Sequence, residues 1–189
     1  MMNDKNPVNA IELRVEEISQ LFDSFDPFPF REKDLDKNAE EYIVSWAREL
    51  PRGQPIRIVV HFPDSEVQRQ RAKELPDALH RFFAYRTGVI GRNLNELFRI
   101  GRQSLAVGIT ILAICLASSQ IASGYLSGSA FASPVEESFL ILGWVANWRP
   151  LEIFLYDWWP LVRQRRLYRL LSVASVDSIP YRLEEAKAD

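Results

Sequence analysis

From Gln103 to Val135 the chain carries no charged side chain, a run of 33 residues, although Asp, Glu, Lys and Arg make up 25% of the whole. A helical crossing of a bilayer needs about 20 consecutive, mostly apolar residues. A soluble domain has no use for a longer uncharged run, so a purely soluble enzyme and a disordered tail are both excluded. Cys115 is the sole cysteine, which excludes a disulfide scaffold. The net charge of -2 leaves no basic excess to neutralise phosphates, so nucleic acid is a poor partner.

Two membrane segments are expected, unequal in kind. The first spans about 104–126. Leu105 to Leu116 is almost wholly apolar, and small or slender residues recur at Ala106, Thr110, Ala113, Ala117, Gln120 and Gly124. That spacing puts them on one helical stripe, where a second helix can approach closely. The second segment covers about 139–161, after an external loop at 127–138. Its longest charge-free stretch after Glu137 is only Ser138 to Trp148. If it crosses, Asn147, Arg149 and Glu152 enter the membrane, with Asp157 nearer the cytoplasmic interface. Arg149 and Glu152 are three apart and can pair on one helical face. Such a polar cluster is the first place to look for function, although a bridge that only fixes helix packing is the plainer reading. Pro150 lacks an N–H and should free the carbonyl of Ala146. Tyr156, Trp158 and Trp159 form an aromatic belt.

Arginine placement sets the orientation. Arg86, Arg92, Arg99 and Arg102 precede the first span, and Arg163, Arg165, Arg166 and Arg169 follow the second. The intervening loop has no Lys or Arg and carries Glu136 and Glu137. By the positive-inside rule both termini are cytoplasmic. The first residues lack the order of a signal peptide.

The remainder reads as a small α/β module. Ile11, Leu13 and Val15 alternate with charged residues as in a strand, although Ile11, Val15, Ile18 and Phe22 would also line a helix. Asp23 to Asp36 reads as a loop stiffened by Pro27 and Pro29. Asn38 to Leu50 has helical spacing and stops at Pro51 and Gly53. Ile56 to Phe62 reads as a strand. Glu66 to Arg102 continues as a long helical pattern into the first span, with Pro76 as its start or a kink. Gly88, Gly91 and Gly101 are expected to loosen it. Strand, crossover helix and strand imply a parallel pair, and two strands make a weak sheet that needs a partner edge or a covering helix. The tail from Ser172 is expected to be mobile.

No catalytic constellation emerges. His61 and His80 lack ligands at metal spacing, Cys115 reads as a packing residue, and Asp23, Asp26, Asp34 and Asp36 match no calcium loop. No cofactor, metal or catalytic residue is expected.

The segments Phe25 to Asp36, Glu40 to Leu50 and above all Trp148-Arg149-Pro150-Leu151-Glu152-Ile153-Phe154-Leu155-Tyr156-Asp157-Trp158-Trp159-Pro160 resemble a family of small, uncharacterised bacterial inner-membrane proteins with two membrane-spanning helices. The resemblance covers most of residues 10–170. It implies a double-spanning protein of the bacterial inner membrane and carries over no activity.

The expected fold is therefore an α+β membrane protein in four parts. A cytoplasmic α/β module (1–80) has two parallel strands and a crossover helix. An amphipathic helix (81–102) leads into a transmembrane helical hairpin (103–161), and a cytoplasmic tail (162–189) follows. The expected role is a non-enzymatic accessory or scaffold protein that self-associates or anchors a partner through its module. The alternative is a homo-oligomeric channel or transport component using the polar cluster. Expected partners are membrane lipid and either further copies of the chain or the other subunits of a larger membrane complex.

Overall fold

The computed structural model describes residues 10–24, 33–51, 54–125 and 132–181. The expected loop around Pro27 and Pro29, the tip of the loop after the first span and the last residues of the tail lie outside these. The chain divides into two compact units, residues 1–89 with 164–189, and residues 90–163.

The first unit is built on a three-stranded, fully parallel sheet in the order β1-β2-β3. β1 (Ala10–Arg14) pairs with β2 (Arg57–Pro63) in the register Ile11 to Ile58 and Leu13 to Val60. The alternating pattern thus prevails over the helical reading, and the Ile18–Leu21 stretch forms only a short 3-10 turn. Helix α1 (Lys37–Glu49) connects the two strands. The Asp36 carboxylate accepts from the Asn38 N–H at 2.8 Å and caps a first-turn donor that no helical carbonyl can reach.

β3 (Ser175–Tyr181) corrects the expectation of a mobile tail. It pairs with β2 in the register Ile58 to Val176 and Val60 to Ser178. The partner edge that a two-stranded sheet lacks is thus supplied by the chain itself, after about 110 intervening residues between Pro63 and Ser175. β3 alternates poorly and contains Pro180, which is tolerated on an edge strand because one side makes no ladder. Ile11, Leu13, Ile58, Val60 and Phe62 are all buried and, by register and alternation, share one sheet face. The register brings Glu12, Arg57, His61 and Asp177 to the other face.

α2 runs without interruption from Glu66 to Tyr125, 60 residues, about 90 Å at the α-helical rise. It belongs to the first unit up to Val89 and to the second from Ile90. Pro76 neither starts nor ends it; the lost hydrogen bond is outweighed locally by a buried stripe of Ala72, Leu75, Leu79 and Phe83. Within the first unit His80 Nε2 lies 2.7 Å from the Ala174 carbonyl. In the Nε2–H tautomer the ring donates there and ties α2 to the residue before β3. The Ile18 N–H donates to Gln68 Oε1 at 3.0 Å, which adds a link to the 3-10 turn.

α2 is the one helix among the described residues that is long and apolar enough to cross a membrane. The second apolar segment is a broken helix: α3 (Ala132–Ala146), a break at Asn147, α4 (Trp148–Glu152), a π-helical turn (Ile153–Asp157) and α5 (Trp158–Leu171). The single span expected at about 139–161 is thereby divided.

Candidate functional site

The broken helix carries the polar cluster, and the structure separates its members. Asn147 turns inward and is buried. Its Nδ2 donates to the Gly108 carbonyl and to the Gly143 carbonyl, both at 3.0 Å. Its backbone (φ -92°, ψ -2°) lies in the bridge region, and its N–H reaches the Trp144 carbonyl at 3.0 Å. Pro150 cannot donate to the carbonyl four residues back, so the Ala146 oxygen is left over. That oxygen sits against Gly108, 3.1 Å from where a Cβ would be. A Cβ on Gly108 would also come within 2.6 Å of Asn147 Oδ1. Gly108 is therefore required by this break, since only a bare backbone lets the amide reach across.

Three contacts fix how the helices of this unit pair. Gly101 faces Ile153 and Phe154, Gly108 faces Asn147, and Gly143 faces Leu112 and Cys115. Residue numbers rise on one helix as they fall on the other, so the two run antiparallel. Phe98 stacks on Phe154 with ring centroids 6.2 Å apart. Gly101 thus serves close contact, not loosening. The face of α2 used here is Gly101, Gly108, Leu112, Cys115 and Ser119, with Leu112 half-buried and the others buried. The stripe of Ala106, Thr110, Ala113, Ala117, Gln120 and Gly124 lies on exposed faces of the helix. Within the chain, the broken helix therefore packs beside the expected stripe and not on it. Thr110 Oγ1 instead donates to its own helix at Ala106 O, 2.9 Å away.

Arg149, Glu152 and Asp157 form the other half of the cluster. Arg149 Nη1 meets Glu152 Oε2 at 2.8 Å and Asp157 Oδ2 at 3.2 Å. The first is the expected pair. The second depends on the π-helical turn. Eight residues of regular α-helix would leave Asp157 about 80° around the axis from Arg149; a wide turn that absorbs one residue brings it to about 20°. One cation is thus engaged by two carboxylates. With Asn147 beside Gly108 and Ile153 beside Gly101, Arg149 lies roughly level with residue 105 of α2. That is within about 5 Å of Gln103, where the charge-free run begins.

A buried charged site in the first unit escaped the sequence reading. The Glu40 carboxylate on α1 is buried. Its Oε1 accepts from Arg86 Nε at 3.0 Å, from Arg86 Nη2 at 2.8 Å and from the Tyr168 hydroxyl at 2.6 Å. Burial works against the Arg86 cation, but the hydrogen bond and charge of Glu40 prevail and hold it above its ordinary pKa. Burial, followed by the Glu40 hydrogen bond and charge, raises the Tyr168 hydroxyl as well. Phe83 meets the Tyr168 ring edge-on at 5.9 Å. Nothing in the spacing of positions 40, 86 and 168 announces the contact, because it joins three helices distant in sequence. The one signal was a glutamate on the apolar side of α1, at i+3 to Ile43 and i+7 to Ala47.

His61 sits on β2 with Nε2 buried, without a hydrogen-bond partner among the described residues and 3.8 Å from Glu12 Oε2. Cys115 is buried against Gly143. Asp36 caps α1, the Asp23 N–H donates to the Asp34 carbonyl at 2.9 Å, and Asp26 lies outside the described residues. Among the described residues no three His, Cys, Asp or Glu side chains are grouped to hold a metal.

No protein-family model matches the chain, and neither a curated protein nor a solved structure matches it.

Proposed function

We propose that this chain is a non-enzymatic accessory or scaffold protein of the bacterial inner membrane, held there by a two-helix hairpin and joined to further copies or to a partner through its α/β module. The observation that carries this reading is the position of the apolar segments, between β2 and β3 of one sheet. Strands that share a ladder share a compartment. If α2 crosses the membrane, the chain must cross back before Ser175, and the broken helix is the segment available to do so. The arginines on both flanks and their absence from the connecting loop favour a cytoplasmic module with both termini inside.

The geometry of Arg149 favours anchoring over a polar path. Its level near the start of the charge-free run lets the long side chain reach the interface, and two carboxylates already engage it. The Asn147 amide N–H groups are engaged by carbonyls of both helices, Gly108 on α2 and Gly143 on α3.

The test is site-directed labelling combined with mass measurement. Cysteines at Ser127 or Ser129 should react with an impermeant reagent from outside, and cysteines at Asp4 or Lys187 should react only after the membrane is opened. After mild extraction the chain should run as an oligomer or with a co-purifying protein. External labelling of either terminus, or a strict monomer at high concentration, would defeat the reading.

A further inference from the structure

α5 carries Arg163, Arg165, Arg166 and Arg169 and no acidic residue. All four arginines are exposed, while Tyr168 and Leu171 are buried on the opposite side. Elsewhere the arginines tend to be matched: Arg57 to Asp177, Arg69 to Asp64, Arg86 to Glu40 and Arg149 to Glu152 and Asp157. Arg163, Arg165 and Arg166 have no ion-pair partner among the described residues. The helix begins with Trp158 and Trp159, whose rings lie 5.5 Å apart, and the Trp158 indole N–H donates to the Phe154 carbonyl at 2.9 Å. Indoles of this kind favour the boundary between hydrocarbon and water. Arg163 to Arg166 follow Trp159 by about 6–10 Å along the helix, close to the depth of the phosphate-bearing headgroup layer, which is about 5–8 Å thick on each side.

We propose that Arg163, Arg165 and Arg166 of α5 bind the phosphates of anionic phospholipids in the leaflet on the module's side, an inference that rests on the membrane reading above. A guanidinium presents paired N–H donors that match two phosphate oxygens. Spread over the convex surface of one helix, three such groups cannot enclose a single small anion. They suit several headgroups arrayed in a plane. The ligand class is therefore a lipid surface carrying negative charge, not free phosphate.

The full chain, extracted in mild detergent, is titrated with phosphatidylglycerol and with phosphatidylcholine of the same acyl length, and bound lipid is counted by native mass spectrometry. The wild-type chain should retain phosphatidylglycerol preferentially. R163Q/R165Q/R166Q should lower that preference about a hundredfold at low salt, at roughly fivefold per arginine. R163K/R165K/R166K keeps the charge and should keep most of the preference, which separates lost attraction from lost folding. Equal retention of both lipids by the wild-type chain, or an unchanged preference in the glutamine variant, overturns the proposal. So does a lysine variant as impaired as the glutamine one, or displacement of the lipid by millimolar inorganic phosphate. Chain released from membranes by carbonate wash would fail the membrane reading itself, an outcome distinct from a bilayer-held protein without lipid preference.

Discussion

Ile11, Ile58, Val60, Leu75, Phe83 and Leu171 of the first unit are fully buried, whereas Ile109, Ile114, Ile121, Ile141, Val145 and Leu155 of the second are half or more exposed. Burying one such side chain from water is worth about 1.5–3 kcal/mol, and the second unit forgoes that at position after position. It is held by other means: backbone approach at Gly101, Gly108 and Gly143, and one asparagine amide bridging two carbonyls. A surrounding as apolar as the side chains removes the hydrophobic drive between helices and leaves close contact and hydrogen bonding to hold them. The polar groups differ likewise. Glu40 is buried among Arg86 and Tyr168, while Arg149 and its two carboxylates lie on the surface of their unit.

The contrast predicts opposite sensitivities, and the largest effect belongs to β3. A chain that stops after Ala174 exposes the β2 edge and removes the third strand from a sheet of three. The first unit should lose its protected core altogether, read as loss of slow amide exchange at Ile58 to Phe62. Protection in α3 and the facing part of α2 should persist. If the core of the first unit survives the truncation, the sheet does not depend on the chain's return.

Next comes Gly108→Ala. Its Cβ would meet Asn147 Oδ1 at 2.6 Å, forcing the amide off both carbonyls at a cost of about 1–3 kcal/mol for overpacking. Engineered disulfide formation between positions 112 and 143 should slow. Ala113→Leu, on the exposed stripe, should leave that rate unchanged. Equal effects of the two substitutions would dissolve the distinction between the faces of α2.

Glu40→Ala tests the polar contact of the first unit. It strands the Arg86 guanidinium and the Tyr168 hydroxyl, but Arg86 is partly open to water, so the cost is discounted to about 1–3 kcal/mol. The Tyr168 hydroxyl gives the site a pH signature. Its pKa is raised on folding, so the folded state holds the proton where the unfolded chain releases it. That contribution is complete below the ordinary tyrosine value of 10.0 and is lost as pH rises through the raised one. The thermal stability of the wild-type chain should fall above this point, and Tyr168→Phe should flatten the alkaline decline. An identical decline in both chains would assign the effect to other groups.

The smallest effects are expected at Arg149, because its side chain is exposed. Arg149→Leu leaves Glu152 and Asp157 facing each other without a cation, whereas Glu152→Leu leaves Arg149 with Asp157. Membrane-inserted yield should therefore fall more for Arg149→Leu, and the double variant should be milder than the sum of the singles. Strict additivity would mean that the charges do not meet in the membrane.

Legibility in the sequence followed the range of the interaction. Helix α1, strands β1 and β2 and the continuity of α2 are written in periodicity, and the Arg149–Glu152 pair in a spacing of three. Each depends on neighbours within a few turns. β3 was missed because Ser175 to Tyr181 alternates weakly and carries Pro180, so it becomes a strand by pairing with β2. The face that meets the broken helix was not legible beside the stripe at Ala106, Thr110, Ala113 and Ala117 because small residues occur on several faces of α2. What selects the face is the demand of Asn147 for two carbonyls, and that partner lies 39 residues away.

The amino-acid sequence alone determined where apolar residues concentrate, where the arginines cluster along the chain and where the main helices run, because hydropathy, charge and helical period are properties of contiguous residues. Tertiary structure alone decided that the tail returns to complete the sheet, that Gly108 and not Ala113 receives the second helix, that a π-helical turn swings Asp157 to Arg149, and that Glu40 is buried against Arg86 and Tyr168. Each of these depends on a hydrogen bond or close approach between distant segments, whose geometry exists only once the chain has folded.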